Sequence, residues 1–215
     1  MLGCLRTRSE GVDFLKPVET IFEPDPRQLN WWIRNYDDGS VRQLTLEEHH
    51  ANISRVILSD AVPEDVRQHM ETAKNLALYS WYVYRFIPVA ELQAYTALEW
   101  ALRIRLEVAD NAKPSFGGLL RRAIKQELIT PADFKPLSET RPFATITGNS
   151  LFDANLPSAF HTDPRFMEAF YKGIVGLRNL LAHGSFQLWP DGTSTLAVVA
   201  LAVNALFRAE ERRIE

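Results

Sequence analysis

The sequence predicts an all-α fold, a helical bundle that carries a small β-hairpin extension at its N-terminus. Apolar residues recur at spacings of three and four along most of the chain, which is the period of one helix face. Helix-capping residues, prolines and glycines stand at the ends of these segments. Hydrophobic residues make up 46% of the 215 residues and charged residues 24%, which is typical of one well-buried globular domain. We therefore divide the chain into an extension, residues 1–44, and a helical domain, residues 45–215.

The extension contains one stretch with strand character, NWWIRNYDDGSVRQLT, between residues 30 and 45. Apolar residues flank Asp38-Gly39, a dipeptide that favours a tight hairpin turn. Trp31 and Trp32 have two alternative roles, because they either stack on nucleic-acid bases or pack across the hairpin onto a core. Packing is the commoner role, so we expect it here.

Local signals place the helices that follow the hairpin. Thr45 is a suitable N-cap for the first helix, and Pro63 opens the second. Ile87-Pro88 separates the second helix from the third, and Gly184 is placed to end the fifth. The predicted helices span residues 45–58, 64–86, 88–109, 117–128, 166–182 and 195–212.

Two segments have a less regular pattern. Residues 130–164 are rich in proline and threonine and show little periodicity, which predicts a long irregular segment of the kind that often forms a lid. Near the C-terminus, LAVVALAV does not show its period clearly. Its alanine content and charged tail favour a helix, and the alternative is a hairpin of residues 186–189 with residues 196–203.

Charge and hydropathy restrict the partners and the compartment. A net charge of −3 and a pI near 6.0 exclude a broadly basic surface, so any nucleic-acid contact must be a local patch. No apolar run reaches the length of a membrane span, and the start lacks the features of a secretory signal. A single cysteine, Cys4, forms no internal disulfide. We therefore expect a cytoplasmic protein with no membrane partner.

Most motifs that carry enzyme chemistry are absent. The sequence has no phosphate-cradling glycine loop and no HExxH, CxxC or GxSxG pattern, so it predicts neither a cofactor nor a bound metal. His49 and His50 are adjacent and point about 100° apart on a helix, so they do not share one ligand site. We expect both to be solvated or capping residues.

The most informative segment is GIVGLRNLLAHG, residues 173–184, where the only polar side chains are Arg178, Asn179 and His183. A helix that is apolar nearly all round lies in a core or an interface, so three polar groups near its end require an explanation. RNA is cut without a metal when its own 2′-hydroxyl attacks the neighbouring phosphorus. That reaction needs a proton acceptor or donor with a pKa near neutral, as in histidine, and a fixed positive charge for the phosphorane oxygens, as in arginine. We expect His183 to be the acid/base, Arg178 to stabilise the transition state and Asn179 to position the phosphate.

Glu99 is the fourth candidate site residue. It interrupts an apolar helix face that repeats at spacings of three and four through residues 92–106. Two interpretations stay open at this point. Glu99 either forms a surface pair with Arg103 one turn later, worth a few tenths of a kcal/mol, or is held in the core to orient a cation such as Arg178.

The spacing of Arg178 and His183 limits how they meet. They are five residues apart, about 140° around an ideal helix, so one straight helix does not aim both at one point. Either the helix ends at Ala182 and His183 turns inward, or two chains pool their groups. Gly173 and Gly176 permit close helix approach, so a symmetric homodimer through residues 173–183 is the economical solution.

These residues resemble a known family. LRNLLAHG is similar to the R-polar-x3-H signature of HEPN domains, and Arg178, Asn179 and His183 match its three named positions. ALEWALRIRL, residues 97–106, resembles the Glu-containing helix that partners it, with Glu99 as the matching residue. The resemblance covers about residues 64–210. It implies an all-α HEPN-like bundle that acts as a homodimer and cleaves RNA without a metal in a cleft between subunits. Such proteins are often toxins or abortive-infection effectors in prokaryotes, and a toxin of this kind has an antitoxin as a further partner.

A second class of function competes with the nuclease. Some HEPN proteins bind RNA or nucleotides without cutting, or serve as structural scaffolds. In that case Arg178 pairs with Glu99 or another core carboxylate for stability alone. His183 then caps the C-terminus of its helix, where a positive charge is favourable.

Overall fold

The computed structural model describes residues 14–28, 31–34, 39–109, 111–139, 163, 165–184 and 192–211. Within these ranges the chain is mostly helical and carries one small two-stranded sheet, so the predicted all-α bundle with an N-terminal hairpin is confirmed. The strands are β1 (Trp32–Arg34) and β2 (Val41–Gln43). The helices are α1 (Leu46–Ser54), α2 (Glu64–Tyr79), α3 (Phe86–Arg105), α4 (Phe116–Lys125), α5 (Pro136–Glu139), α6 (Phe166–Ala182) and α7 (Gly192–Glu211). Short 3-10 helices span Val18–Thr20 and Pro131–Phe134.

The hairpin is antiparallel, with Ile33 opposite Arg42. Gly39 has φ +72°, a left-handed conformation that a turn glycine adopts easily, whereas the other turn residue, Asp38, lies outside the described residues. Arg42 connects the hairpin to α1, because its guanidinium binds the carboxylate of Glu48. This contact, together with the Thr45 amide, lowers the pKa of Glu48 to about 2.

α1 starts at the predicted N-cap, Thr45, which forms a reciprocal pair of hydrogen bonds with Glu48. The hydroxyl of Thr45 accepts the amide proton of Glu48 at 3.3 Å, and the Glu48 carboxylate accepts that of Thr45 at 3.1 Å. Two amides that a helix leaves without partners are satisfied in this way.

α3 is the central element of the bundle, since it packs against α2, α4, α6 and α7. Four alanines on α3 are fully buried, and their small side chains allow the neighbouring helices to approach closely: Ala90, Ala94, Ala97 and Ala101. Over the described residues, no helix combines the length and apolarity needed to cross a bilayer.

The last segment is the helix α7, so the predicted helix is confirmed for residues 195–211 and the hairpin alternative is wrong for residues 196–203. Residues 186–189 and 212 lie outside the described part of the chain. Leu196 and Val203, seven residues apart on one face, are buried, but Val198 is buried as well. Burial on more than one face explains why the period is weak in the sequence.

The boundary between α2 and α3 differs from the prediction, because α2 ends at Tyr79 and α3 already starts at Phe86. The N-terminal extension stabilises the turn between them. Gln28 donates to the carbonyl of Ser80 at 3.0 Å, and Asp25 accepts the amide proton of Tyr84 at 3.1 Å. Pro88 lies in the first turn of α3, where a missing amide proton costs nothing.

Part of the segment that was predicted to be irregular is ordered. Residues 131–139 form the second 3-10 helix and α5 instead of an open loop, and residues 140–162 lie outside the described residues. The ring of Phe134 packs against those of Phe166 and Phe170, with centroids 5.2 and 4.7 Å away. Burial of this ring fixes residues whose sequence shows no helical period.

A small second core joins the hairpin to the helices. Trp31 is buried and makes edge contacts with Tyr84 and His49, so it packs as expected, whereas Trp32 is 47% exposed. The expectation of a solvated or capping residue is wrong for His49. Its ring is buried, and Nε2 donates to the carbonyl of Ala77 at 2.9 Å.

The burial of His49 predicts a pH-dependent stability. Burial lowers the pKa of His49, so the native state disfavours the proton that the unfolded chain accepts near pH 6.5. The free energy of unfolding should therefore be highest above that pH. It should fall as the pH drops below it, by at most about 1.4 kcal/mol per pH unit. Urea unfolding from pH 7.5 to 5.5 checks this, with His49→Gln as the non-titrating variant.

The exposed neighbour provides the control. His50→Gln should keep the pH dependence of the wild-type protein, and His49→Gln should flatten it. The same slope in the wild-type protein and in His49→Gln would contradict the assignment.

Candidate functional site

A cleft of about 480 Å³ lies between α3, α4 and α6. Three of the four predicted site residues line it: Glu99, Arg178 and Asn179. Their elements are separated by about 80 residues of sequence, so the tertiary fold brings them together. The structure therefore places the predicted acidic residue beside the predicted motif.

Glu99 and Arg178 form an ion pair across the two helices. Arg178 Nη2 donates to Glu99 Oε2 at 3.0 Å, and the two side chains are 32% and 22% exposed. The other carboxylate oxygen contacts Arg103 Nη2 at 3.5 Å. Glu99 therefore contacts both predicted partners, and the contact with Arg178 is the shorter, but its side chain is only partly buried and does not lie in the core. The guanidinium of Arg178 also lies 5.7 Å from the centroid of the Phe116 ring, within range of a cation–π interaction.

The start of α4 forms one wall of the cleft. Ser115 is its N-cap and accepts the amide proton of Gly118 at 3.1 Å. Gly117 allows α4 to approach α6, since a Cβ at this position would be 3.1 Å from the Tyr171 hydroxyl and 3.4 Å from Val175 Cγ1. Gly117 therefore serves close helix packing, whereas a Cβ on Gly118 would meet only the Ser115 hydroxyl of the N-cap.

Arg121 and Tyr171 also line the cleft, and the sequence did not predict a role for either. Arg121 on α4 lines the cleft, and its guanidinium carbon lies 4.7 Å from the centroid of the Tyr171 ring on α6. One signal was available, because Tyr171 and Arg178 are seven residues apart and so share a helix face. The contact with Arg121 had no signal, since it depends on how α4 and α6 pack.

His183 does not join the other three residues within one chain. It is the C-cap of α6, where its amide donates to the carbonyl of Asn179 at 3.0 Å, and its side chain is exposed. Gly184 ends the helix with φ +77°, as predicted. α6 ends at Ala182, as one of the two predicted geometries requires, but among the described residues His183 is not part of the cleft lining. Both the single-chain and the two-chain geometry therefore stay predictions.

The face of α6 that carries His183 is open. Gly173, Gly176, Leu180 and His183 follow one another at spacings of three and four, so they share this face. Leu180 is 40% exposed, and a Cβ built on either glycine meets nothing within 4 Å. Asn179 lies at the edge of this face and also lines the cleft, so the two surfaces are continuous.

The cleft is locally cationic in an acidic chain. Within the part of the chain that the structure describes, its lining carries the guanidinium groups of Arg121 and Arg178 against one carboxylate, that of Glu99. The net charge of the whole chain is −3. The described residues hold no group of three or more His, Cys, Asp and Glu side chains placed to bind a metal ion. The arrangement is suited to an anionic group such as a phosphate.

Comparisons of the chain with protein-family models, with curated proteins and with solved structures found no match. The resemblance to HEPN domains stays a prediction from residues 97–106 and 177–184.

The two contacts of Glu99 predict different coupling energies. In double-mutant cycles on the free energy of unfolding, Glu99→Ala with Arg178→Ala should give a coupling of about 1 kcal/mol, because this half-buried pair forms a charged hydrogen bond. Glu99→Ala with Arg103→Ala should give about 0.3 kcal/mol, because that contact is longer, at 3.5 Å, and joins residues one turn apart on the same helix. Chemical denaturation of the single and double variants measures both values.

The Arg103 cycle is the matched control, since it uses the same carboxylate and the same type of side chain. Equal couplings in the two cycles would contradict the assignment of Glu99 as the residue that orients Arg178.

Proposed function

We propose that this protein is a metal-independent endoribonuclease of the HEPN type that acts as a homodimer. The observation that carries the proposal is the Arg178 guanidinium, which Glu99 holds at 3.0 Å in a cleft lined by Asn179. A fixed, partly exposed guanidinium beside an amide is suited to the charge that develops on a phosphorane. The motif LRNLLAHG supplies the remaining group, His183.

The proposed reaction is an internal transesterification. The RNA 2′-oxygen forms a bond to phosphorus while the bond from phosphorus to the 5′-oxygen breaks, which leaves a 2′,3′-cyclic phosphate and a 5′-hydroxyl. His183 accepts the proton of the 2′-hydroxyl and then donates it to the departing 5′-oxygen, so the imidazole ends the reaction as it began. Arg178 stabilises the negative non-bridging oxygens, and the Asn179 amide donates to one of them.

A second chain is needed to complete this site. The open face of α6, with Gly173 and Gly176, is proposed to pack on its symmetry-related copy. Because Asn179 belongs to both this face and the cleft, the packing would bring the partner's His183 towards Arg178. The exposed Leu180 supplies apolar contact area for such an interface.

The second candidate is a non-catalytic RNA-binding or scaffold module. One observation favours it, because within one chain Arg178 is already paired with Glu99 and the exposed His183 is not part of the described cleft lining. In that case the polar groups only stabilise the fold and an interface. The resemblance adds the further proposal that the nuclease is a cytoplasmic toxin or phage-defence effector of a prokaryote, held inactive by an antitoxin.

The nuclease proposal predicts the effect of two substitutions. His183→Ala and Arg178→Ala should each lower RNA cleavage in EDTA by about 10²- to 10⁴-fold, because they remove proton transfer and charge stabilisation. Cleavage of total RNA and of a labelled oligoribonucleotide measures the loss, and a toxic effect of overexpression should disappear with it. His50→Ala, another exposed histidine, should cleave like the wild-type protein. If His183→Ala weakens dimer formation and the wild-type protein cuts no RNA, the protein is a scaffold module and the nuclease proposal is wrong.

Mixing the two inactive variants tests the shared site. A dimer of one Arg178→Ala chain and one His183→Ala chain keeps one complete site, so random exchange should restore about a quarter of wild-type activity. The rates are compared before and after subunit exchange. A site built from one chain gives no recovery, and that result would refute the two-chain geometry.

The α6 interface has its own test. Gly176→Arg should raise the dimer dissociation constant by about 10-fold or more, because a long charged side chain replaces an open surface. The monomer should not be less stable, since arginine is a better helix former than glycine by up to about 0.8 kcal/mol. Sedimentation equilibrium measures dissociation, and urea unfolding in dilute solution measures stability.

Thr72→Arg, at an exposed position on α2, is the control and should leave dissociation unchanged. A wild-type protein that stays monomeric at high concentration would refute the dimer.

A further inference from the structure

Arg121 is held in an unusual way for a surface cation. Its guanidinium lies over the half-buried ring of Tyr171, 4.7 Å from the centroid, at the wall of the cleft. An aromatic ring beneath a guanidinium limits its freedom but uses none of its donors, because the N–H groups lie in the guanidinium plane and point to its edges. The exposed Arg121 side chain therefore presents unused donors at the wall of the cleft, with its guanidinium over the ring of Tyr171.

The charge of Arg121 is not neutralised within the described residues. Several other basic side chains of the surface have carboxylate partners, among them Arg67 with Asp60 and Glu64, Lys74 with Glu71, and Arg165 with Asp163. For Arg121 no such contact is present in the described ranges, and its one close partner is the ring of Tyr171. An unneutralised, oriented guanidinium in a chain of net charge −3 indicates a binding site for an anion.

The position of Arg121 relative to Arg178 indicates how large that anion is. Phe116 of α4 lies under Arg178 of α6, and Arg121 of α4 lies over Tyr171 of α6, so the two helices run antiparallel. Tyr171 and Arg178 are two turns apart, about 10 Å along the axis of α6. The two cations therefore stand at different points along the cleft and are suited to different phosphates of one strand.

We infer that Arg121 is a second phosphate-binding residue of the cleft, and that the substrate is a single strand with at least two phosphates. The inference rests on the proposed function, in which Arg178 binds the phosphate that is cut. Arg121 binds a neighbouring phosphate, and Tyr171 is a positioning residue that holds Arg121. A cleft of about 480 Å³ has the size of a pocket for one or two nucleotides.

The test compares two adjacent arginines on α4. Arg121→Gln and Arg122→Gln remove the same charge from exposed positions about 100° apart around the helix. Binding is measured with a fluorescent single-stranded pentanucleotide whose 2′-oxygens are methylated, so that it is not cut. Arg121→Gln should raise its Kd about 10-fold and reduce the slope of log Kd against log salt by about 0.7 to 1, as expected for one lost phosphate contact. Arg122→Gln should change both values much less.

Substrate length separates the two phosphate contacts. In cleavage assays, Arg121→Gln should raise KM for an unmodified pentanucleotide and leave kcat unchanged. With a dinucleoside monophosphate, which has only the phosphate at Arg178, Arg121→Gln and the wild-type protein should behave alike. Equal loss on the short and long substrates would overturn the two-phosphate arrangement.

The role of Tyr171 has a rescue test. Tyr171→Phe keeps the ring and should keep the wild-type Kd, whereas Tyr171→Leu removes the ring and should weaken binding as Arg121→Gln does. Melting curves check that Tyr171→Leu folds. If it does not fold, the comparison of Arg121→Gln with Arg122→Gln tests the inference instead.

The outcomes separate this inference from the proposed function. A wild-type protein that binds the pentanucleotide while Arg121→Gln and Arg122→Gln behave alike would overturn the inference alone. Binding that depends on Arg121 without any cleavage would support the inference and overturn the nuclease. A wild-type protein that binds no RNA would overturn both.

Discussion

The ion pair between Glu99 and Arg178 is the constraint on which the candidate site depends. It joins α3 to α6 across 79 residues of sequence, and both partners are partly removed from water. A guanidinium in such a position loses hydration, which a charged hydrogen bond at 3.0 Å replaces. The same contact fixes where the guanidinium points. One ion pair therefore both stabilises the packing of α3 on α6 and orients the Arg178 guanidinium in the lining of the cleft.

Small residues decide the shape around this pair. Buried alanines such as Ala97 and Ala101 let the neighbouring helices approach α3, and Gly117 lets α4 approach α6. Close approach brings Phe116 and Tyr171 against the two guanidinium groups. On the opposite side of α6 the small residues Gly173 and Gly176 have no neighbour within 4 Å of a built Cβ. The same type of residue therefore serves internal packing on one face and leaves an open surface on the other.

The two cations of the cleft are held by different physical means. Arg178 is oriented by a carboxylate, which lowers the local positive charge and fixes one edge of the guanidinium. Arg121 is oriented by an aromatic ring, which leaves its charge and its donors intact. A local positive field in a chain of net charge −3 arises because, among the described residues, Glu99 is the only carboxylate in the lining. Composition alone does not reveal such a patch, since it depends on which charges the fold groups together.

The sequence by itself determined the features that depend on neighbouring residues. The fold class follows from helical periodicity. Thr45 starts α1 because its hydroxyl accepts a backbone amide proton, and Gly184 ends α6 because it adopts a left-handed conformation. Residues 166–182 form the predicted helix. Only the tertiary structure decided which distant groups meet. It brought Arg121 onto Tyr171 through the antiparallel packing of α4 and α6, and it buried His49 against the hairpin, for which no spacing in the chain gives a signal. Local periodicity specifies which face of a helix is apolar. Which other helix packs against that face depends on how all the apolar faces are buried together in one core.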